Sequence, residues 1–313
     1  MDYGFYLPTR GATATRDGVL SLAREGERLG FRSAMIADHV VFPVSSDSDY
    51  PYTIDRKHPG GGDALDALTI LGVVAGATER LRLVTSVLVL PYRNPVLTAS
   101  MVATLDVLSG GRVTLGIGVG WLKEEFEALD APDFKRRGAV TDEWVAIFKQ
   151  LWSTSPASFD GEFYRYKDIH CEPFPLQKPH PPIWIGGHSR AALRRTARYG
   201  DGWHPVGAIA AVPLPPHELR ALLDTLHELT EAEGRDPNAL TISYKAPLYD
   251  TAVPNSDGER RSFTGSAEQI AEDIAAFAAI GVHELIFDFR TQSHAESLEG
   301  LQRFAEQVMP LVD

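Results

Sequence analysis

Three short stretches of this 313-residue chain carry side chains whose types and spacing could do chemistry. Asp38-His39 closes an apolar run, Ser33-Ala34-Met35-Ile36-Ala37. A histidine at such a place can exchange protons near neutral pH, with its tautomer set by a neighbouring acceptor. His39 with Asp38 is therefore the candidate catalytic pair; a rim histidine hydrogen-bonded for structure is the alternative. Gly186-Gly187-His188-Ser189 joins a short strand-like run to a helical segment. There, backbone N–H groups and the helix dipole favour an anion, typically phosphate, and Ser189 can cap the helix and donate its hydroxyl. An ordinary tight turn would look the same. Gly116-x-Gly118-x-Gly120 falls short of the dinucleotide pattern, because Trp121 stands where its last glycine belongs. Its small residues suit either a strand end that approaches something flat or simple close packing. Trp121 and Trp203 could stack on a ligand or fill the core. Ten histidines include no His-Glu-x-x-His, there is no Cys-x-x-Cys, and His170-Cys171 has no third ligand nearby, so no metal is expected.

Those residues need a scaffold, and the chain reads as an alternation of strands and helices. Gly4 to Leu7 is followed by Val19, Leu22, Ala23 and Gly26 on one helical face, with Gly30 as a left-handed cap. Ser33 to Ala37 is a second strand, a helix spans about 66–78, and Leu81 to Val89 reads as one buried third strand. Asn94-Pro95 pairs an N-cap with an N1 proline, opening a helix striped by Leu97, Met101, Leu105 and Leu108. Arg112 to Gly120, Pro182 to Ile185, Gly202 to His204, Leu240 to Tyr244 and Glu284 to Phe289 complete eight strands. Ser266 and Gln269 form a capping box before the last strand. Eight strand–helix units predict an α/β fold, a (β/α)8 TIM barrel, over a single 1–313 domain. An open doubly wound sheet shows the same alternation, and the count of eight favours the barrel. A polar loop at about 44–62 and an aromatic, proline-rich, hairpin-bearing insertion at about 155–180 interrupt the pattern. In a barrel, strand C-termini build the site, which adds Pro8, Ser86, Lys245 and Asp288 to the candidates.

Composition narrows the class. Hydrophobic residues at 44% and charged residues at 23% describe a globular chain. A net charge of −12 has the wrong sign for nucleic acid, and no run is long enough to span a membrane. One cysteine, Cys171, and an N-terminus without signal-peptide character point to the cytoplasm. A small-molecule enzyme or binder fits.

Taken together, these blocks resemble the luciferase-like superfamily of flavin- and deazaflavin-dependent oxidoreductases. The resemblance runs through Ser33 to His39, Glu79 to Val87, Tyr92-Arg93-Asn94-Pro95, Leu108 to Trp121, Pro181 to Ser189, and Tyr199-Gly200-Asp201-Gly202-Trp203. Within it, Glu79 to Trp121 is most similar to the branch dependent on the deazaflavin coenzyme F420. The resemblance implies a barrel with an insertion and a non-proline cis peptide at Ser86–Val87 that backs the cofactor ring. It further implies a cofactor-phosphate site at Gly186-Gly187, with His188 and Ser189. Gly118, Gly120, Trp121 and Trp203 would complete the cofactor pocket, and His39 would handle the proton while hydride moves to or from the ring. One deazaflavin branch has a Glu where Trp121 stands here, which argues against a sugar-phosphate dehydrogenase and leaves a second acid–base group unassigned.

Two cofactors share this tricyclic ring and phosphate. Coenzyme F420 implies hydride transfer to or from a small organic substrate. FMN implies a two-component monooxygenase that takes reduced flavin from a separate reductase. A non-catalytic flavin-binding relative is a third reading, against which His39 weighs. Arg93, Lys123, Lys135, Arg136 and Arg137 could meet an acidic cofactor tail. The two insertions would shape the substrate pocket, with Tyr50, Tyr52, Phe159, Phe163 and Tyr164 favouring an apolar or cyclic substrate. The resemblance makes a homodimer the default.

Overall fold

A computed structural model describes residues 1–58, 62–247 and 258–312; residues 59–61 of the expected 44–62 loop lie outside them. Eight parallel strands close into a barrel: β1 (Asp2–Tyr6), β2 (Ser33–Ile36), β3 (Arg82–Thr85), β5 (Val113–Gly118), β8 (Ile183–Gly186), β9 (Gly202–His204), β10 (Thr241–Lys245) and β11 (Glu284–Phe287). The β3–β5 pairing shuts the ring, and β1 bridges to β11 with Phe5 opposite Phe287. The (β/α)8 expectation holds. Inside the barrel, Tyr6, Met35, Val84, Trp184 and Ile286 pack on one another. Their strand neighbours Phe5, Ala34, Leu83 and Ile185 face the helical layer. Burial on both faces explains why the strands read as apolar runs and not as alternating ones.

The third strand does not run unbroken from Leu81 to Val89. It stops at Thr85, a cis Ser86–Val87 peptide follows, and the two-residue β4 (Leu88–Val89) then pairs with the end of β5. This break places the Ser86 and Val87 side chains at the barrel mouth.

Local chemistry sets the helix boundaries. Thr15 caps α1 (Arg16–Arg28) and Gly30 follows it at φ +90°. Asp66 caps α2 (Ala67–Ala75), which ends three residues earlier than the pattern suggested. Asn94 accepts from two N–H groups ahead of α3 (Pro95–Leu108). On α3 only Leu105 of the expected stripe is buried, together with Thr98, Ala99, Val102 and Ala103, while Leu97, Met101 and Leu108 are exposed. Small residues let α3 lie close to the barrel, which leaves its larger side chains outside. The remaining helices are α4 (Lys123–Ala128), α5 (Arg137–Leu151), α6 (Arg190–Tyr199), α7 (Pro216–Ala232), α8 (Ala267–Ala279) with its capping box, and α9 (His294–Gln307).

The 155–180 insertion carries an antiparallel hairpin of β6 (Ala157–Asp160) and β7 (Arg165–Ile169). Glu143 on α5 accepts the N–H groups of Glu162, Phe163 and Tyr164, clamping the hairpin to the outside of the barrel. No described residue of this insertion lines the cavities at the mouth, so Phe159, Phe163 and Tyr164 do not shape the pocket.

At the N-terminal end of the barrel, Glu284 is buried and bonded to Ser33 Oγ, with the Arg82 guanidinium held by Thr114 and Val113. Burial pushes the Glu284 carboxyl up from 4.5 to about 7. The folded state therefore binds this proton more tightly than the unfolded chain. The stabilisation is present at acid pH and is lost as pH rises through 7. Glu284→Gln should remove up to roughly 3 kcal/mol of stability difference between pH 5 and pH 8, measured by urea unfolding at both. Parallel pH profiles for variant and wild type would contradict it.

Candidate functional site

The C-terminal mouth of the barrel opens into a cavity of about 610 Å³. Ser86, Val87, Gly118, Gly120 and Trp121 lie along one side; Gly186, Gly187 and Ser189 line the other, with Arg137, Thr141 and Arg195 beyond. A second compartment of about 460 Å³ shares Ala37, His39, Tyr50, Tyr52, Val206 and Lys245 with it.

Val87 and the residues around the β3–β4 break require these glycines. A Cβ on Gly118 would sit 2.6 Å from Val87 Cγ2, one on Gly186 2.8 Å from Val87 Cγ1, and one on Gly116 2.0 Å from Thr85 O. Close packing around the β3–β4 break thus accounts for the glycine-rich strand, and Gly118 still presents its backbone to the cavity. Ser86 is fixed from below: its Oγ bonds the Tyr6 hydroxyl and lies 2.8 Å from His204 Nε2. Burial, with the nearby Lys245 charge, lowers His204 to about 4, so its ring is neutral. Nδ1–H then donates to Ser243 O and Nε2 accepts from Ser86.

At the glycine turn, Gly187 adopts φ +88°, a conformation that L side chains rarely take. Ser189 caps α6, its Oγ accepting from Ala192 N–H at 3.2 Å. Arg137 lines the same cavity. Its guanidinium donates to Gly120 O and Phe134 O, and it has no carboxylate within 4.0 Å among the described residues. Of the other expected rim cations, Arg93 pairs with Asp38 and Asp66, Lys123 with Glu127 and Arg136 with Glu162, while Lys135 is exposed and lines neither cavity. Two expected cofactor contacts do not line the cavity. Trp203 is fully buried behind the turn and donates its indole N–H to Gly187 O at 2.7 Å, which makes it a positioning residue. His188 is half-buried, with Nδ1 buried and unpartnered, and burial lowers its pKa.

His39 is held by a residue that the spacing did not reveal. Glu125, fully buried on α4, accepts from His39 Nδ1 at 2.7 Å, from Val40 N–H, from Val41 N–H and from the Tyr92 hydroxyl. Burial alone would raise its pKa, but the bonds from His39, Val40 and Tyr92 outweigh it and hold the carboxyl below its usual range. Nδ1 therefore donates to a carboxylate, and Nε2 is the ring nitrogen left to serve the cavity. Asp38 has a different job. It receives both terminal nitrogens of Arg93 at 2.7 Å and Val89 N–H at 2.9 Å, which ties β2 to β4. Those three bonds make it a structural anchor.

The described residues of the 44–62 loop fold over this centre. Ser48 and Asp47 bond Glu124, His58 stacks on Trp121 at 5.5 Å, and Tyr50 meets Trp121 at 4.9 Å. Burial and the charges of Arg10 and His39 lower His58 to about 4, so it accepts the 2.9 Å bond from Arg10.

Asp38→Asn would leave Arg93 partly unpaired in a buried place. We expect it to lower the unfolding free energy by about 3 kcal/mol in denaturant titrations. A variant as stable as wild type would refute the anchoring role.

Residues 1–250 match the family model described as luciferase-like monooxygenase. An FMNH(2)-dependent dimethylsulfone monooxygenase of Pseudomonas putida is 28% identical over 334 residues, covering 93% of this chain and 86% of that protein. Two solved structures share the fold. A monooxygenase from Streptomyces bottropensis aligns with TM-score 0.79 at 23% identity over 99% of each chain. An F420-dependent secondary alcohol dehydrogenase in complex with an F420-acetone adduct aligns with TM-score 0.76 at 19% identity, over 100% of this chain and 99% of that one. With most of its length matching that model and its barrel closing as described, the chain belongs to the luciferase-like monooxygenase family, whose members are oxidoreductases.

Proposed function

We propose that the protein transfers hydride between coenzyme F420 and a small organic substrate, with His39 moving the accompanying proton. The observation that carries this reading is the Glu125–His39 pair. Its carboxylate fixes Nδ1 and leaves Nε2 to give or take a proton where the two compartments meet. Interconverting an alcohol and a carbonyl by hydride transfer needs such a group, and a positioned histidine contributes about 100-fold or more to rate.

The pocket suits a flat cofactor with a phosphate. Its volume of about 610 Å³ is within the range of small-molecule sites. Ser86 and Val87 would back the ring. The backbone of Gly186 and Gly187, the Ser189 hydroxyl, the start of α6 and the unneutralised Arg137 would hold the phosphate. When bound, the cofactor supplies the two-electron chemistry; the protein supplies orientation, exclusion of water and the proton.

FMN-dependent monooxygenation is the second reading, favoured by the named activity of the Pseudomonas putida relative. It would require a separate flavin reductase as partner. In either case we propose a homodimer. Leu97, Met101 and Leu108 on α3, together with Val73 on α2, form an exposed apolar face that a second copy would cover.

Titrating the protein with oxidised F420 and with FMN, read by quenching of Trp121, separates the readings. Tight F420 and weak FMN binding is expected; the reverse establishes the second reading, and binding of neither overturns both. With the cofactor that binds, His39→Ala should lower kcat about 100-fold while cofactor affinity stays within about twofold.

A further inference from the structure

The compartment beside His39 holds an excess of positive charge that the proposed chemistry does not use. Arg10, Lys245, Asp288 and Arg290 all line it. Arg290 is neutralised: its guanidinium grips both Asp288 oxygens at 2.6 and 2.7 Å. Arg10 and Lys245 are not. Among the described residues, no carboxylate lies within 4.0 Å of either. Arg10 donates to the neutral His58 and lies 5.7 Å from the Phe42 ring centroid. Lys245 Nζ lies 4.1 Å from the Tyr6 ring centroid, with no hydrogen-bond acceptor among the described residues. Asp63, which accepts the N–H of the adjoining Gly11, is exposed and does not line the compartment.

Three cations against one carboxylate run counter to a chain whose net charge is −12. Leaving two cations unpaired in a partly desolvated pocket is costly unless something meets them. They also repel each other: burial first, then the neighbouring Arg290 and Arg10 charges, hold Lys245 down at about 8 despite Asp288. At neutral pH it still carries its proton. No described residue supplies the missing counter-charge, and a bound anion would.

We infer that the substrate is an organic acid whose carboxylate or sulfonate sits between Arg10 and Lys245. Its apolar or ring portion lies against Phe42 and Tyr52, and its reacting carbon lies toward His39. The inference rests on the functional reading in one respect: the cofactor phosphate occupies the glycine turn, leaving this compartment for substrate. It also revises the expectation of an apolar substrate. That expectation came from the loop aromatics, whereas these charges come from the ends of β1, β10 and the residues after β11.

Calorimetric titration with benzoate, benzenesulfonate and the neutral benzamide, on the protein with and without its cofactor, tests it. At least one acid should bind about tenfold or more tightly than benzamide. Arg10→Met and Lys245→Met should each weaken that acid about tenfold, while Arg10→Lys and Lys245→Arg retain most of the affinity, which excludes misfolding as the cause. Equal binding of benzamide, no binding of either acid, or acid affinity untouched by Arg10→Met would overturn the proposal. The last result would place the anion at the glycine turn. The F420 and FMN titrations are read separately: acid binding without cofactor binding would sink the cofactor reading alone, and cofactor binding without acid preference would sink this one alone.

Discussion

A single buried carboxylate organises the mouth of this barrel. Glu125 has no solvent exposure, yet an isolated carboxylate in that position would be too costly to remain charged. It stays ionised because His39, two successive backbone N–H groups and the Tyr92 hydroxyl all donate to it. These donors come from two separate pieces of the mouth, His39 to Val41 after β2 and Tyr92 after β4. Satisfying Glu125 therefore joins the end of β2, the turn after β4 and the start of α4 in one arrangement. The orientation of His39 follows from this, as does the floor on which Trp121 and the loop aromatics rest.

A second constraint works by volume. Val87 projects from the β3–β4 break into space that only glycine at 118 and 186 leaves open. Two distant strands thus owe their glycines to a side chain on a third. Because the glycines leave the backbone bare, the same packing gives the cavity a smooth wall. The glycine turn is buttressed from behind in a similar way, by the Trp203 indole bonded to Gly187 O.

Much of this was legible in the sequence. Strand–helix alternation, the Asn94-Pro95 and Ser266/Gln269 caps, and the rule that barrel chemistry sits at strand C-termini lead to the correct architecture and to His39, Ser86, Gly186 and Ser189. What was not legible depends on contacts between residues far apart in the chain. Glu125 sits in a Lys-Glu-Glu-Phe-Glu stretch that reads as a solvated face, and only its partner 86 positions away distinguishes it from Glu124 and Glu127. Asp38 next to His39 suggested a catalytic pair, yet Arg93, 55 residues on, claims it. Helical periodicity put Leu97 and Leu108 inside, but periodicity reports a stripe and not the direction it faces. The charge excess at Arg10 and Lys245 was invisible for the same reason, since it gathers from opposite ends of the chain.

The central claim is that Glu125 fixes the His39 ring with Nδ1 protonated and Nε2 free toward the cavity. Nitrogen-15 NMR of histidine-labelled protein, at a pH high enough to leave the ring neutral, tests it most directly. The account predicts the Nδ1–H tautomer for His39 in wild type and its loss in Glu125→Gln. A His39 ring in the Nε2–H tautomer in wild type would contradict the account.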